Sequence, residues 1–490
     1  MKRVNKSKKV VVLGAGLAGL SAAYELSKKN FSVTVVEKSN QVGGLAQTIR
    51  RGDFHFDTGP HRWYTKNDFV NKWMLSLLGQ EVIRVPRLTR IYFDKKFFYY
   101  PIKLTNALFN IGIIRAVQSV IDYVLARTKA RFFKQKLVSM EDGYINQFGK
   151  TLYELFFKRY SEKLWGQDCR QISIDWVGQR TRGLNIFTVL KDSLLKNKNV
   201  VSLVDEFSYP KMGVGRIAEK MAEEISKNGG KILVRTEVTH INEEKDRIVS
   251  VTAKKGKDTL KLTGDYFISS MPLDDLVKRL MLSGKKKNEH ILGLAKKLTY
   301  RDELLVALFV KKTKITPDTW IYIHPKEIPF MRVMEMDNWS DKLSPVGTTT
   351  LVFEIACNVG DDFWRKTDQE LIKLVGNAYI KEFHLIKESD ILAGFVYRVS
   401  KEYPVYHLGY REDVDEIKKY LKKFTNLQLV GRNGTFRYNN MDHSIEMGLY
   451  AAWNLIEGKE KYDIESVNIE REYLEEKRIE NIEDERLDEK

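Results

Sequence analysis

Cysteine is almost missing from this chain: Cys169 and Cys357 are the only two in 490 residues, and they lie far apart. A disulfide framework and a cysteine-rich metal site are thereby excluded, and a reducing cytoplasm is the expected compartment. No uninterrupted apolar run is long enough to cross a bilayer, so no transmembrane helix is expected. The stretch from Met1 to Lys9 is short and basic, and the apolar run behind it carries glycines rather than a cleavage site, which argues against a signal peptide. Zinc-finger spacings, RNA-binding signatures, internal repeats and a serine–histidine or cysteine–histidine nucleophile pattern are missing as well. Negative charge is in deficit, with 65 acidic residues against 82 basic ones and a net charge of +17. That balance favours phosphorylated ligands or acidic membrane surfaces. The basic residues are spread along the chain, so nucleic acid is not an expected partner.

Hydrophobic residues make up 43% and charged residues 30%, the balance of a globular protein with ample surface to bury. A chain of this length exceeds what one core organises, so two joined domains with discontinuous boundaries are expected. Val10 to Leu13 reads as a short buried strand ending at Gly14, Leu17 to Lys28 as a helix and Phe31 to Glu37 as a second strand, which closes a βαβ unit. Asp68 to Gly79 and Lys211 to Asn228 read as helices, and Arg90 to Tyr100 as a strand pair about Asp94-Lys95-Lys96. Lys231 to Val238, Arg247 to Lys254 and Leu260 to Ser269 read as strands, and strand patterns dominate from Arg301 to Phe395. A final helix begins near Asp442. Between Ile102 and Lys136 apolar and basic residues interleave at helical spacing. That segment reads either as helices covering a substrate domain or as a surface in peripheral contact with a membrane. Beyond Gly458 a dense run of glutamate, lysine and arginine reads as a solvated helix or frayed tail.

Gly14, Gly16 and Gly19 form G-x-G-x-x-G between the first strand and its helix. The first glycine permits the tight turn, the second leaves room for a pyrophosphate against the backbone, and the third lets the helix pack closely on its strand. The helix N-terminus offers unpaired N–H groups and the positive end of its dipole to phosphates. Glu37, eighteen residues after Gly19, is placed to accept hydrogen bonds from ribose hydroxyls, and a carboxylate there disfavours a 2′-phosphate. A second pair, Gly43-Gly44, follows six residues later.

The whole segment VVVLGAGLAGLSAAYELSKKNFSVTVVEKSNQVGGLAQT resembles the FAD fingerprint of the flavoprotein superfamily containing amine oxidases, protoporphyrinogen oxidase, phytoene desaturases and UDP-galactopyranose mutase. Two further segments are similar: KILVRTEVTHI, where Val238 holds the place whose backbone meets the adenine, and Gly431-Arg432-Asn433-Gly434, which resembles the C-terminal flavin-contacting segment. The resemblance implies FAD rather than NAD, held non-covalently. Its contacts would be Gly14, Gly16, Leu17, Ala18, Gly19, Glu37, Lys38, Gly43, Gly44, Leu45, Gly59, Pro60, His61, Val238, Gly431, Arg432, Met441 and Asp442. The implied fold class is α/β, with a Rossmann-like FAD-binding domain of the glutathione reductase type and a discontinuous mixed α+β substrate domain. The former is expected over 1–95, 205–275 and 405–458, the latter over 96–204 and 276–404, with a charged tail over 459–490.

Four segments resemble UDP-galactopyranose mutases in particular. They are Gly59-Pro60-His61-Arg62-Trp63-Tyr64-Thr65, GKTLYELFFKRYSEKLWG from Gly149 to Gly166, YPKMGVGRIAEKM from Tyr209 to Met221, and GRNGTFRYNNMDHSI from Gly431 to Ile445. Carried over position by position, Tyr160 and Trp165 would line a nucleotide pocket, and Arg180 and Arg301 would clamp a diphosphate, a task suited to permanently charged guanidinium forks. Tyr438 would reach the same phosphates, and His61 would sit beside the flavin, so the implied catalytic set is His61, Arg180 and Arg301. Asn440 stands where the mutases have an aspartate, and Tyr64 where their loop usually carries a second histidine. The implied activity acts on a nucleotide-linked sugar through reduced flavin, without net redox change. A FAD-dependent oxidoreductase of the amine oxidase or protoporphyrinogen oxidase type, working on a small organic or membrane-derived substrate, is the alternative that the fingerprint supports equally. Neither requires a metal.

Overall fold

The computed structural model describes residues 7–65, 67–100, 110–133, 136–177, 206–283 and 288–468. Its centre is a five-stranded parallel sheet in the order Leu427–Leu429, Tyr266–Ser269, Lys8–Leu13, Phe31–Val36, Lys231–Leu233. Val10, Val11, Val12 and Leu13 of the middle strand are all 2% exposed or less. A strand covered on both faces has to be a continuous apolar run. The helix Leu17–Ser27 packs against the helices Arg216–Lys227 and Met441–Glu457. The last of these crosses very closely: a Cβ on Gly448 would lie 2.2 Å from the Ala18 carbonyl oxygen, and Ser21 Oγ donates to Ile445 O at 3.1 Å.

A second, seven-stranded sheet runs in the order Ile391–Pro404, Tyr300–Val310, Thr349–Cys357, Arg332–Glu335, Trp320–Ile323, Thr89–Phe93, Lys96–Tyr99. Only Trp320–Ile323 and Thr89–Phe93 pair in parallel. Residues alternate between its faces. Leu305, Ala307 and Val352 join the core shared with the parallel sheet, whereas Leu304, Val306, Leu308 and Phe353 join a separate core with Leu371, Val375 and Tyr379 of the helix Asp368–Phe383. Thr89–Phe93 belongs to this sheet although it precedes the boundary expected at residue 95.

Several elements differ from the sequence reading. The strand expected over Lys231 to Val238 is two strands: Lys231–Leu233 stays in the parallel sheet and Glu237–Glu244 joins an antiparallel one with Arg247–Lys255 and Asp258–Thr263. Arg235, at φ 51°, turns the chain from one sheet to the other, and its N–H donates to Ser39 O at 2.7 Å. Leu260 to Ser269 divides likewise, into Asp258–Thr263 and Tyr266–Ser269. The helix expected from Lys211 begins at Arg216, because the glycine turn ahead of it presses on Thr48: a Cβ on Gly215 would meet the Thr48 nitrogen at 2.5 Å. The segment after Gly458 is not wholly solvated, since Lys461 and Tyr462 N–H groups both donate to Asn454 Oδ1 at 2.9 Å and Val467 is buried. Of the stretch from Ile102 to Lys136, the described helix is Ile113–Phe132. Among the described residues no helix is long and apolar enough to cross a membrane.

Candidate flavin and substrate site

The first βαβ turn builds a cradle of bare backbone. Gly14 sits at φ 101°, and its N–H donates to Val36 O at 2.8 Å to close the turn. Gly16 and Gly43 form a parallel bridge, and a Cβ on Gly44 would lie 2.9 Å from Gly16 Cα. A Cβ on Gly19 would lie 2.1 Å from Gly14 O, so the helix could not start at this depth with any other residue there. No side chain caps that helix, and Leu17, Ala18 and Gly19 are buried, so their N–H groups belong to the set that a helix start leaves unpaired. Glu37 accepts from the Ala15 and Ser39 N–H groups at 2.8 Å each, which fixes its carboxylate and leaves lone pairs for hydroxyl donors. Lys38 beside it is exposed, and the Leu45 carbonyl accepts from Thr58 Oγ1 at 2.7 Å. The C-terminal segment closes on the same place: a Cβ on Gly431 would lie 3.0 Å from Ala18 Cβ. Met441 and Asp442 open the final helix, and one Asp442 oxygen is buried without a donor among the described residues. Val238 is buried at the head of its strand, and its carbonyl is engaged by Arg279 Nε, which narrows its use for an adenine. A cradle that side chains would fill, an uncapped helix start and a fixed carboxylate together fit a dinucleotide diphosphate and its ribose.

The loop Gly59-Pro60-His61 meets the inward face of the seven-stranded sheet, where a Cβ on Gly59 would lie 3.8 Å from Glu354 Oε1. On that face Arg332 pairs with Glu354, and Arg432 Nη1 donates to Glu402 Oε1 at 3.1 Å. Glu303 completes a group of three carboxyls, all 3% exposed or less, against two guanidiniums. One oxygen each of Glu303, Glu354 and Glu402 lacks a donor among the described residues. Burial, with Glu354 and Glu402 adding repulsion, pushes the Glu303 carboxyl well above the ordinary carboxylate range. Burial pushes Glu402 up to about 7 against the pull of Arg432. His61 is driven down to about 3 by burial and then by Arg432 and Arg332, so the ring is neutral. Its Nδ1 lies 3.1 Å from Gly59 O, which puts the proton on Nδ1 and leaves Nε2 as the acceptor.

Aromatic rings extend this wall. Tyr403 and Tyr438 stack at 6.1 Å, Arg432 lies 4.7 Å over Tyr438, and Trp176 meets both Tyr438 and Trp165 edge-on. Tyr160 packs edge-on against Tyr322 at 5.5 Å and stands close enough to Arg332 to act on its charge. His61, Tyr160, Trp165, Arg432 and Tyr438, distant in sequence, are thus brought together. Trp165, expected to line a nucleotide pocket, is 4% exposed inside the aromatic cluster. Arg301 differs more. Its Nε donates to Leu164 O at 2.7 Å and its Nη2 to Ala356 O at 3.0 Å, so its fork pins the end of the helix Arg159–Trp165 to the sheet rather than standing open for a diphosphate. Arg180 lies outside the described residues. Arg301→Met is expected to leave the buried Leu164 carbonyl and the partly buried Ala356 carbonyl without these donors and to cost about 1–3 kcal/mol in urea unfolding, with FAD content unchanged.

Glu354 escaped the sequence reading as a lone charge in an apolar strand, and Glu303, Arg332 and Glu402 because they lie at or near strand ends beside other charged residues, where a solvated side chain is the ordinary reading. The available signal was the charge itself: LVFEIAC, RVME and RDELLVALFV each place a charged group where burial leaves no water to solvate it. Glu402 also yields a pH prediction. Its folded value lies above the ordinary 4.5, so its contribution to stability is present at low pH and is lost as pH rises from about 4.5 to about 7. Glu402→Gln is expected to flatten the decline in melting temperature over that interval; an unchanged slope would assign the titration elsewhere.

A bare dinucleotide cradle facing a separate sheet with a neutral histidine and a buried carboxyl–guanidinium group defines a FAD-binding α/β flavoprotein with its own substrate domain. The chain belongs to the flavin-containing amine oxidoreductase family, whose profile matches residues 17–295, and FAD is its cofactor. Over 268 residues it is 24% identical to a 1-hydroxycarotenoid 3,4-desaturase from a Flavobacterium species, covering 51% of this chain and 54% of that enzyme. A shorter match, 46% identical over 67 residues, covers 14% of this chain and 13% of an L-amino-acid oxidase of Crotalus adamanteus. The chain thus spans about half, or less, of the curated relatives it matches. Its fold is similar to that of reduced UDP-galactopyranose mutase, with a TM-score of 0.78, 20% identity and coverage of 95% of this chain and 100% of that one. Cyclohexylamine oxidase from Brevibacterium oxydans IH-35A aligns at a TM-score of 0.63 and 14% identity, over 92% of this chain and 99% of its own.

Proposed function

We propose that this chain is a FAD-dependent enzyme acting on a nucleotide-linked sugar in the manner of a UDP-galactopyranose mutase. The observation that carries the reading is convergence: segments that resemble mutases supply His61, Tyr160, Trp165, Arg432 and Tyr438, and these residues share one wall beside the cradle. FAD, when bound and in its reduced form, would supply the electron-rich ring at which the sugar reacts. His61 keeps a neutral imidazole whose Nε2 accepts from a sugar hydroxyl. Arg432, held by Glu402 and by the Asn439 carbonyl, keeps a fixed positive charge beside Tyr438 that opposes the negative charge of a departing diphosphate. Glu303, whose carboxyl burial pushes above the ordinary carboxylate range, lies on the same wall.

A second reading, oxidation of a small organic donor, is favoured by the engagement of Arg301 and Arg432 with protein acceptors and by the carboxyl-rich face. The deciding experiment uses dithionite-reduced holoprotein with UDP-galactofuranose and follows its conversion to the pyranose, alongside a titration of the flavin spectrum with UDP. Absence of both turnover and spectral change would sink the mutase reading. Anaerobic bleaching of oxidised FAD by an amine or amino acid would establish the second.

A further inference from the structure

The helix Ile113–Phe132 is assembled inside out. Its inner side is made of small or polar residues, with Ala116, Ser119 and Tyr123 buried. Its outer side carries Ile113 at 82% exposure, Ile114 at 84%, Leu125 at 61% and Phe132 at 73%, with Val117, Val120, Ile121 and Val124 exposed by 49% or more and Phe133 following. Nine of the eighteen large hydrophobic residues exposed among the described residues lie in this one stretch. At about 100° per residue the stripe from Val120 round to Leu125 covers an arc of about 140°.

The outward aim is built in. A Cβ on Gly149 would lie 2.8 Å from the Tyr123 nitrogen, so the chain of the next helices lies directly against the inner face. Asp122 Oδ2 accepts from the Thr151 N–H at 3.0 Å and from Thr151 Oγ1 at 2.6 Å, which fixes the rotation of the helix about its axis. The helix cannot roll its apolar side inward without breaking these contacts. Charge completes the pattern: Arg127 flanks one edge of the stripe, Lys129 the other, and Arg131 ends it, while Asp122, the one acidic residue of the helix, is engaged with Thr151. Long basic side chains at the edges of an apolar stripe reach headgroup phosphates while the stripe enters the acyl boundary.

We propose that this helix is a docking surface for a lipid bilayer bearing anionic headgroups, lying in the plane of the interface without crossing it. A second copy of the chain is the poorer occupant, because a two-fold pair would set the same cationic edges against each other with no acidic partner. The proposal stands independently of the reaction.

The test is co-sedimentation of full-length holoprotein with vesicles of phosphatidylcholine alone or with about a third phosphatidylserine. Binding is expected on the anionic vesicles, weakening with salt. Arg127→Gln, Lys129→Gln and Arg131→Gln should each weaken it by roughly fivefold. The combined variant Val117→Glu, Ile121→Glu, Val124→Glu should abolish binding while FAD content is retained, since all three positions face outward. The two native cysteines are buried, so Val124→Cys accepts a polarity-sensitive dye selectively, and its emission should shift to the blue on anionic vesicles only. Undiminished binding of the glutamate variant, an unshifted dye, no binding to either vesicle, or a dimer in solution that the glutamate variant dissociates would each overturn the proposal.

Discussion

Gly44→Ala is expected to yield folded protein with at least tenfold less bound FAD. The added Cβ would lie 2.9 Å from Gly16 Cα, a backbone atom held on one side by the bridge to Gly43 and on the other by the helix start. Neither side can give without widening the cradle, and a widened cradle loses the N–H groups that approach the diphosphate. Gly44 also sits at φ 60°, so a control has to separate strain from sterics. Gly52 supplies it: φ is 55° and nothing lies within 4 Å of an added Cβ. Both alanines incur the same left-handed penalty of about 1 kcal/mol, but only one meets the cofactor site. The ratio of flavin absorbance to protein should collapse for Gly44→Ala and hold for Gly52→Ala, with far-ultraviolet circular dichroism unchanged in both. A tenfold loss corresponds to about 1.4 kcal/mol of binding. Equal FAD content in the two variants would mean that the close approach of Gly44 and Gly16 has no part in holding the cofactor.

The second large effect is expected at Arg332. Its guanidinium is the partner of Glu354, whose side chain has no exposed surface, and it lies close to Glu303, Glu402 and Tyr403. Arg332→Met removes one of two cations from a group of three buried carboxyls. An unpaired buried carboxylate costs about 3–5 kcal/mol, so urea unfolding at fixed FAD concentration should move by that amount. Adding Glu354→Gln removes the uncompensated charge and should recover most of the loss, which is a coupling that independent sites do not show. Additive effects of the two substitutions would mean that the pair does not act as a unit. His61 has a separate readout: because Arg332 and Arg432 help keep its ring neutral, Arg332→Met should raise the pH at which the ring takes up a proton, measurable by NMR.

The cofactor half of the site was legible because each of its rules is local. Whether Gly14 turns, whether Gly19 clears Gly14 O, and whether Glu37 falls at the end of the second strand are decided within thirty residues of chain, by sterics that residue identity alone settles. The substrate half was legible only by resemblance, and there the residue types were easier to read than their partners. Arg301 is the instructive case: an arginine suits a phosphate or a pair of carbonyls equally, and only the packing of Gly166 and Ala356 against it decides for the carbonyls. The helix after Gly112 had two open readings for a related reason. Periodicity reports that an apolar side exists, not which way it faces, and the contacts of Gly149 and Thr151 with Asp122 turn it outward.

The amino-acid sequence by itself therefore determined the FAD cradle and the α/β class, since backbone clearance and strand period are properties of neighbouring residues. Tertiary structure alone decided which charges meet. Glu303, Arg332, Glu354, Glu402 and Arg432 come from separate strands and the C-terminal turn, and a buried charge acquires its meaning only from the partner that folding sets beside it.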